Sequence, residues 1–200
     1  SLTWTPAHVG RPRPPGRRIR IGILSYYLRN HTIGKLNIGI ARKLDRKRFE
    51  LVVLRPGTPP DALARAYDET ADAVVTLPRD LQAAREKAAE AQLDALFFPD
   101  IGMDAFTYYL AFARLAKVQF TTWGHPVTPG IANIDYFLST PHAEPQDAQR
   151  FYHEELVMID DLLPRVYSDQ PLSPSALDFR ARLGLAPGSR LYVCPQTLYK

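Results

Sequence analysis

Residues 117–140 read KVQFTTWGHPVTPGIANIDYFLST, and the rest of the chain is organised around this stretch. Residues 117–122 predict a strand, a turn rich in Gly and Pro follows, and residues 134–138 predict a second strand. In an open α/β sheet, ligands bind beyond the carboxyl ends of the strands, because loops surround a crevice there and helix N-termini face it. The turn that begins at Trp123 is therefore the first candidate for a binding site.

The composition is that of an ordinary globular protein with a real core, because 46% of the 200 residues are hydrophobic and 23% are charged. No apolar run approaches the roughly 20 residues that span a bilayer, and the N-terminus has no signal-peptide pattern. The single cysteine, Cys194, can form no internal disulfide, which fits a reducing compartment and argues against a structural zinc site. We therefore expect a cytoplasmic protein without a membrane segment.

The net charge of +4 comes from the proline-rich opening, which contains Arg11, Arg13, Arg17 and Arg18. Without these four arginines, the chain has 21 basic and 21 acidic residues. No basic stripe with interleaved aromatic residues occurs elsewhere. Nucleic acid is therefore not an expected partner, and residues 1–18 are predicted to be a linker or arm.

Short apolar runs alternate with amphipathic segments from residue 19 onward. This spacing predicts βαβ units, and so an α/β fold with a Rossmann-like parallel sheet and helices on both faces. In the first helix the apolar face is predicted to be Leu36, Ile40 and Leu44. The predicted strands are 19–25, 49–54, 73–77, 93–98, 117–122, 134–138, 156–159 and 190–194, and the predicted helices are 33–44, 61–70, 81–92, 104–115, 146–152 and 176–185.

Polar residues follow several of the predicted strands, and parallel strands bring these positions to one edge of the sheet. His31 could transfer a proton or bind an acceptor, or it could cap the following helix, which the spacing favours. Asp100 could be a general base, or it could bond its own turn. The polar residues at strand ends are Asn30, His31, Thr58, Asp100, His125 and Thr128.

Two alternatives also remain open for the turn after residue 122. His125 precedes Pro126, so it either faces a ligand or only shapes the turn. Residues 128–130, Thr-Pro-Gly, either present backbone amides to a phosphate or sugar, or contain Gly130 for its backbone geometry. The chain has no GxGxxG, GxxxxGK[ST], GxSxG or HExxH, which argues against a dehydrogenase, a P-loop NTPase, a serine hydrolase and a zincin.

Five motifs, in this order, resemble the catalytic region of the peptide O-GlcNAc transferase family, including its SPINDLY-like bacterial members. They are residues 30–36 (NHTIGKL), 100–103 (DIGM), 118–130 (VQFTTWGHPVTPG), 134–136 (IDY) and 198–200 (LYK). The resemblance extends over residues 19–200. It implies the two-lobed GT-B glycosyltransferase fold, with residues 19–172 as the first lobe, 173–200 as the start of the second, and 1–18 as the junction with upstream tetratricopeptide repeats.

The resemblance also implies roles for individual residues. His31 matches the family's active-site histidine, and Lys200 matches the lysine that contacts the donor diphosphate, where an ammonium stabilises charge that grows as UDP leaves. Gly102, Thr128 and Gly130 match turns that line the sugar and acceptor pocket, and Asp100 and His125 lie in the same turns.

The resemblance thus implies an inverting transfer of a sugar, GlcNAc from UDP-GlcNAc, to Ser or Thr of proteins, with no metal or other cofactor. Two positions depart from the better-known members, which have tyrosine where this chain has Met103 and His125. Both lie at the expected pocket, so another sugar or acceptor stays open. So does a non-catalytic binding or scaffold module that kept the fold. The donor is expected to be held mainly by the second lobe, so residues 1–200 alone are predicted to be inactive.

Overall fold

The computed structural model describes residues 3–57, 59–125, 127–160, 179–186, 188–190 and 192. The chain divides into two compact units, Ser1–Tyr167 and Ser168–Lys200. In the described part of the second unit there is one short helix, α5 (Phe179–Arg182). The strands of the first unit are β1 (Ile19–Leu24), β2 (Phe49–Pro56), β3 (Ala73–Leu77), β4 (Ala95–Phe98), β5 (Val118–Thr122), β6 (Tyr136–Ser139) and β7 (Glu155–Met158), and its helices are α1 (Thr32–Lys43), α2 (Ala62–Thr70), α3 (Leu81–Glu90) and α4 (Ala105–Leu110).

The seven strands of the first unit form one parallel sheet in the order β3-β2-β1-β4-β5-β6-β7. The predicted α/β fold with a Rossmann-like sheet is confirmed. The chain builds the sheet outward from β1 to β3, and then returns to add β4 on the other side of β1. The crevice between β1 and β4 is thus the topological switch point, where open α/β sheets bind their ligands.

Two hydrophobic clusters lie on opposite faces of the sheet, because side chains alternate along each strand. In β1, Leu24 belongs to one cluster and Ile23 to the other. Helices α3 and α4 contribute to the cluster of Leu24, through Ala84 and Leu110 among others, and α1 and α2 contribute to the cluster of Ile23. Helices therefore cover both faces, as predicted.

Aspartate side chains begin three of the helices. Asp61, Asp80 and Asp104 each accept a hydrogen bond from the third backbone amide of the helix that follows, at 2.8–2.9 Å. An N-cap of this kind satisfies an amide that has no partner within the helix. The N-cap predicted at Asp104 is confirmed.

The predicted apolar face of α1 is confirmed in part. Leu36, Ile40 and Leu44 are half-buried, and Ile40 and Leu44 pack against the cluster of Ile23. The helix makes its closest approach at Gly34, where an added Cβ would lie 2.1 Å from the carbonyl oxygen of Arg29. Glycine at this position lets the helix pack against the preceding loop. The buried residues of the helix are Ile33, Gly34, Asn37, Ile38, Gly39 and Ala41.

Helix α4 ends at Leu110, five residues before the predicted end, so the predicted helix 104–115 is too long. The backbone amide of Arg114 donates to the carbonyl oxygen of Trp4 at 2.8 Å instead of continuing the helix. The buried side chain of Gln119 accepts from the amides of Leu115 and Ala116 at 2.6 and 3.3 Å. Partners distant in sequence thus compete successfully for the backbone groups that would extend the helix.

The end of the first unit is also less regular than predicted. Instead of a helix over 146–152 there is a 3₁₀ turn, Ala148–Phe151, because the Gln149 side chain donates to the carbonyl oxygen of Glu154 and accepts from the amide of Leu156. Residues 161–178 and most of the predicted strand 190–194 lie outside the described residues.

Residues 3–18 contain turns but no helix or strand, and they pack onto the sheet. Trp4 packs against the cluster of Leu24, and Arg17 donates to both carboxylate oxygens of Asp94 at 2.8 and 2.9 Å. This segment, called the arm below, lies at the amino ends of β4 and β5.

Candidate functional site

The centre of the candidate site is the switch point between β1 and β4. Ser25 follows β1 and Asp100 follows β4 by two residues, and the Ser25 hydroxyl donates to Asp100 Oδ2 at 2.9 Å. Both side chains are buried, with 0% and 1% exposed. The hydrogen bond therefore joins the two loops that border the crevice.

Burial changes the acidity of Asp100. Removal of the carboxylate from water raises its pKa to about 7, and the nearby negative charge of Asp104 acts in the same direction, while the hydrogen bond from Ser25 opposes the rise. Near neutral pH the group is thus present in both protonation states. A carboxyl group in this condition is typical of functional sites in α/β crevices.

Tyr27 connects this pair to His31. Its backbone amide donates to the Ser25 hydroxyl oxygen at 2.8 Å, and its phenol donates to the carbonyl oxygen of Met103 at 3.1 Å. The ring of Tyr27 stacks on the imidazole of His31, with the centroids 4.3 Å apart. Hydrogen bonds therefore fix both the backbone and the phenol of Tyr27 in the loop after β1. The stacking also orients the imidazole of His31.

His31 is the N-cap of α1, the role that its spacing favoured. Its Nδ1 accepts a hydrogen bond from the amide of Ile33 at 3.2 Å. A neutral imidazole that accepts through Nδ1 carries its proton on Nε2. In this tautomer, which is assigned from the hydrogen bond, His31 is a hydrogen-bond donor through Nε2 and not a base.

The turn after β5 brings His125 to Gly102. A Cβ added to Gly102 would lie 3.1 Å from His125 Nδ1, so the imidazole packs on the bare glycine backbone. Gly102 also has a φ angle of +102°, which residues other than glycine rarely adopt. Gly124 makes a still closer approach, because a Cβ there would lie 1.9 Å from the carbonyl oxygen of Pro99.

Trp123 is next in this turn and is half-buried. Its indole Nε1 is buried and has no hydrogen-bond partner among the described residues. Buried indole nitrogens normally have a partner. Trp123 is therefore a further polar group near the candidate site.

Thr128 and Gly130 form no hydrogen bond to this cluster within the described residues. The Thr128 hydroxyl and the Gly130 amide both donate to the carboxylate of Glu154, which is 1% exposed. Gly130 has φ +61°, so a requirement for backbone geometry explains the glycine. Their role in ligand binding stays a prediction.

Two predicted site residues, Thr58 and Lys200, lie outside the described residues. Asn30 is exposed, and its backbone amide donates to the Asp61 carboxylate at 2.7 Å. A cavity of about 590 Å³ adjoins this bond and is lined by residues of α1 and α2, among them Lys35, Arg42 and Leu63. It combines cationic and apolar surface with the carboxylate of Asp61.

Sequence reasoning missed Ser25, Tyr27 and Glu154. Ser25 is the last residue of the predicted first strand and Tyr27 follows two residues later, so the rule about carboxyl ends could have included them. Glu154 lies in an acidic stretch without periodicity, and nothing in the sequence marks it as buried.

Within the described ranges, no three residues of the kinds that bind metals come together, and no helix is long and apolar enough for a membrane span.

Comparisons with known proteins give a likeness in structure. The chain matches no protein-family model and none of the curated proteins. Among solved structures it is similar to the K341M variant of the O-GlcNAc transferase from Thermobaculum terrenum, with a TM-score of 0.65 and 25% identity over 78% of this chain. The chain spans about 30% of the length of that protein. The likeness supports a glycosyltransferase-like α/β fold for this sheet.

Proposed function

We propose that this chain is the first lobe of a glycosyltransferase of the GT-B kind, which transfers GlcNAc from UDP-GlcNAc to Ser or Thr of proteins with inversion. The observation that carries the proposal is the cluster of Ser25, Tyr27, His31 and Asp100 at the switch point of the sheet. The likeness to an O-GlcNAc transferase supports it, because the same kind of sheet is found there.

In this proposal His31 acts as a donor. With Nδ1 engaged by α1, the Nε2 proton is directed to an oxygen of the acceptor or of the donor, and the stacked Tyr27 ring fixes that direction. The acceptor hydroxyl must lie in line with the sugar carbon for an inverting displacement. Its proton passes to a phosphate oxygen of the donor, since His31 is not a base in this tautomer and Asp100 is 1% exposed.

Asp100 and its neighbours build the wall of the pocket. The Ser25–Asp100 bond holds the loops after β1 and β4 together, and Gly102 and His125 lie in the turns beside them. Lys200 is proposed to contact the diphosphate of the donor, where a positive charge stabilises the negative charge that develops on the leaving group. No metal is required in this scheme, because Lys200 supplies that charge.

The proposed partners follow from the same assignment. The second lobe of the parent protein holds the nucleotide sugar, the acceptor is a protein or peptide, and tetratricopeptide repeats precede the arm. The proposed location is cytoplasmic. The cavity lined by Lys35, Arg42 and Leu63 is proposed to be part of the path of the acceptor peptide, since it combines cationic and apolar surface.

The test uses a protein that carries this chain together with the second lobe. Radiolabelled UDP-GlcNAc, UDP-glucose and GDP-fucose are offered separately with total cell protein as acceptor. We expect label on protein from UDP-GlcNAc, and a decrease of about 100-fold or more in Lys200→Ala. Lys47→Ala, an exposed lysine of the first unit, is the matched control and should retain full transfer.

The three nucleotide sugars distinguish between the alternative functions. Transfer from UDP-glucose or GDP-fucose alone would correct the sugar and keep the reaction class. Absence of transfer from all three, together with measurable binding of a nucleotide sugar, would contradict the enzyme proposal and favour a binding module.

A further inference from the structure

A second cavity lies on the opposite edge of the sheet, between the arm and the amino ends of β4 and β5. It has a volume of about 210 Å³. This is several times the roughly 30 Å³ that one water molecule occupies in the liquid, so a tetrahedral anion fits there with part of its hydration. The charged and titratable residues that line it are His8, Arg11, Arg13, Arg17, Asp94 and Lys117.

The charges of this cavity do not balance. Its one carboxylate, Asp94, accepts two hydrogen bonds from Arg17 and one from the backbone amide of Arg20, so it neutralises Arg17. The three other cations, Arg11, Arg13 and Lys117, form no ion pair within the described ranges, although Arg13 donates through Nη1 to the carbonyl oxygen of Arg17. Cations crowded in one concave site repel each other, and a bound anion would remove that cost.

Two buried nitrogens of the lining have no partner within the described residues. They are Arg17 Nη1 and His8 Nε2. Arg17 binds Asp94 through Nη2 alone, which leaves both protons of Nη1 without an acceptor. Buried polar atoms normally have a partner, and the guanidinium nitrogen of Arg17 can only donate, so it indicates an acceptor that the described residues do not supply.

We propose that this cavity is a binding site for a phosphate group, either inorganic phosphate or the phosphate of a small phosphorylated metabolite. Guanidinium groups match the geometry of phosphate oxygens, and this cavity brings three of them together with an ammonium and an imidazole. A bound phosphate would join the arm to the body, since His8 and the arginines belong to the arm and Lys117 to the body. The site lies away from the switch point and does not depend on the proposed sugar transfer.

His8 provides a direct reporter. Its pKa lies below the ordinary value because burial disfavours the charged form and Lys117 repels it, although the nearby backbone of Leu115 and Leu93 and the charge of Asp94 act in the opposite direction. A phosphate placed beside this imidazole and the lining arginines favours its charged form. Binding is therefore expected to raise the pKa of His8.

The test titrates the chain of residues 1–200 with inorganic phosphate and, separately, with glucose 6-phosphate, at constant ionic strength set by sodium chloride. Calorimetry measures the affinity. The variant carries Arg11→Gln and Arg13→Gln, both exposed, and the control carries Lys47→Gln and Arg79→Gln, which remove the same charge elsewhere. NMR of the unmodified chain follows the imidazole signals of His8 and needs no variant.

We expect one saturable site, unchanged in the control and weakened about tenfold or more in the Arg11/Arg13 variant. The His8 signals should titrate at higher pH when phosphate is bound. Tighter binding of glucose 6-phosphate than of phosphate would identify a metabolite as the ligand, and equal binding would identify the free ion. Absence of saturable binding, an equal loss in variant and control, or an unchanged His8 titration would overturn the proposal.

Discussion

Replacement of Asp100 by asparagine is expected to stabilise the protein at alkaline pH and to leave it nearly unchanged in acid. In the folded state the pKa of Asp100 is raised from 3.8 to about 7, chiefly by burial. A group whose folded pKa is raised contributes stability that is complete below its unfolded pKa and is lost as pH rises through the folded pKa. The loss therefore extends from about pH 4 to about pH 7.

The size of the effect follows from the same two values. A rise from 3.8 to about 7, at about 1.36 kcal/mol for each pH unit, corresponds to about 4 kcal/mol. The introduced asparagine side chain stays neutral at every pH and keeps an oxygen that accepts from Ser25. The stability of Asp100→Asn minus that of the wild type should thus increase by about 4 kcal/mol between about pH 4 and about pH 8.

Urea unfolding of both proteins at several pH values measures this difference, and the subtraction removes the titration of all other groups. Asp61→Asn is the control, because hydrogen bonds from Ala64 and Asn30 lower the pKa of Asp61. Its contribution is complete above the unfolded pKa and is lost only in acid, so the control difference should be flat above about pH 5. A flat difference for Asp100→Asn as well would refute the reasoning, since it would mean that the folded protein solvates this carboxylate.

Three further substitutions test the contacts that position the site. Gln119→Leu should lower the free energy of unfolding by at least about 3 kcal/mol in urea titrations, because four hydrogen bonds to buried backbone groups are lost, and a loss below about 1 kcal/mol would contradict this. Gly124→Ala should cost about 1–3 kcal/mol in the same assay, since its Cβ would overlap the carbonyl oxygen of Pro99, whereas Gly10→Ala, with nothing within 4 Å, should cost little; equal effects would remove the argument. Tyr27→Phe should lose about 1 kcal/mol with its bond to the carbonyl oxygen of Met103, and an unchanged midpoint would show that this bond contributes nothing.

Most of the fold can be predicted because it depends on local pattern. Buried strands have apolar side chains on both faces, and their runs are bounded by turn residues, so the predicted strand 49–54 begins at the same residue as the largely buried β2 (Phe49–Pro56). The end of α4 cannot be predicted, because it depends on Gln119 and Trp4, which approach it only in the folded chain. The closest packing of α1 cannot be predicted from periodicity either, because it lies at Gly34, where an added Cβ would meet the carbonyl oxygen of Arg29.

The sequence predicts where the candidate site lies, but not which of its side chains are bonded to each other. The rule that polar residues at strand ends converge places Asp100 and His31 at one edge, and the structure links them through Ser25 and Tyr27. The pairing partner of Asp100 depends on which strands are neighbours, and that order is a property of the whole sheet. Glu154 escapes prediction because burial of a carboxylate depends on donors that are distant in sequence.

The most direct test of the central claim separates the two roles of His31, capping and contact with a substrate. In a protein that carries this chain with the second lobe, His31→Asn retains a residue that caps helices well but lacks an Nε2 proton. We predict a loss of stability of no more than about 1 kcal/mol, from the stacking on Tyr27, and a decrease of about 100-fold in the transfer of GlcNAc from UDP-GlcNAc to protein. Transfer at the wild-type rate by His31→Asn would contradict the proposed role of His31 and of the switch-point cluster in the reaction.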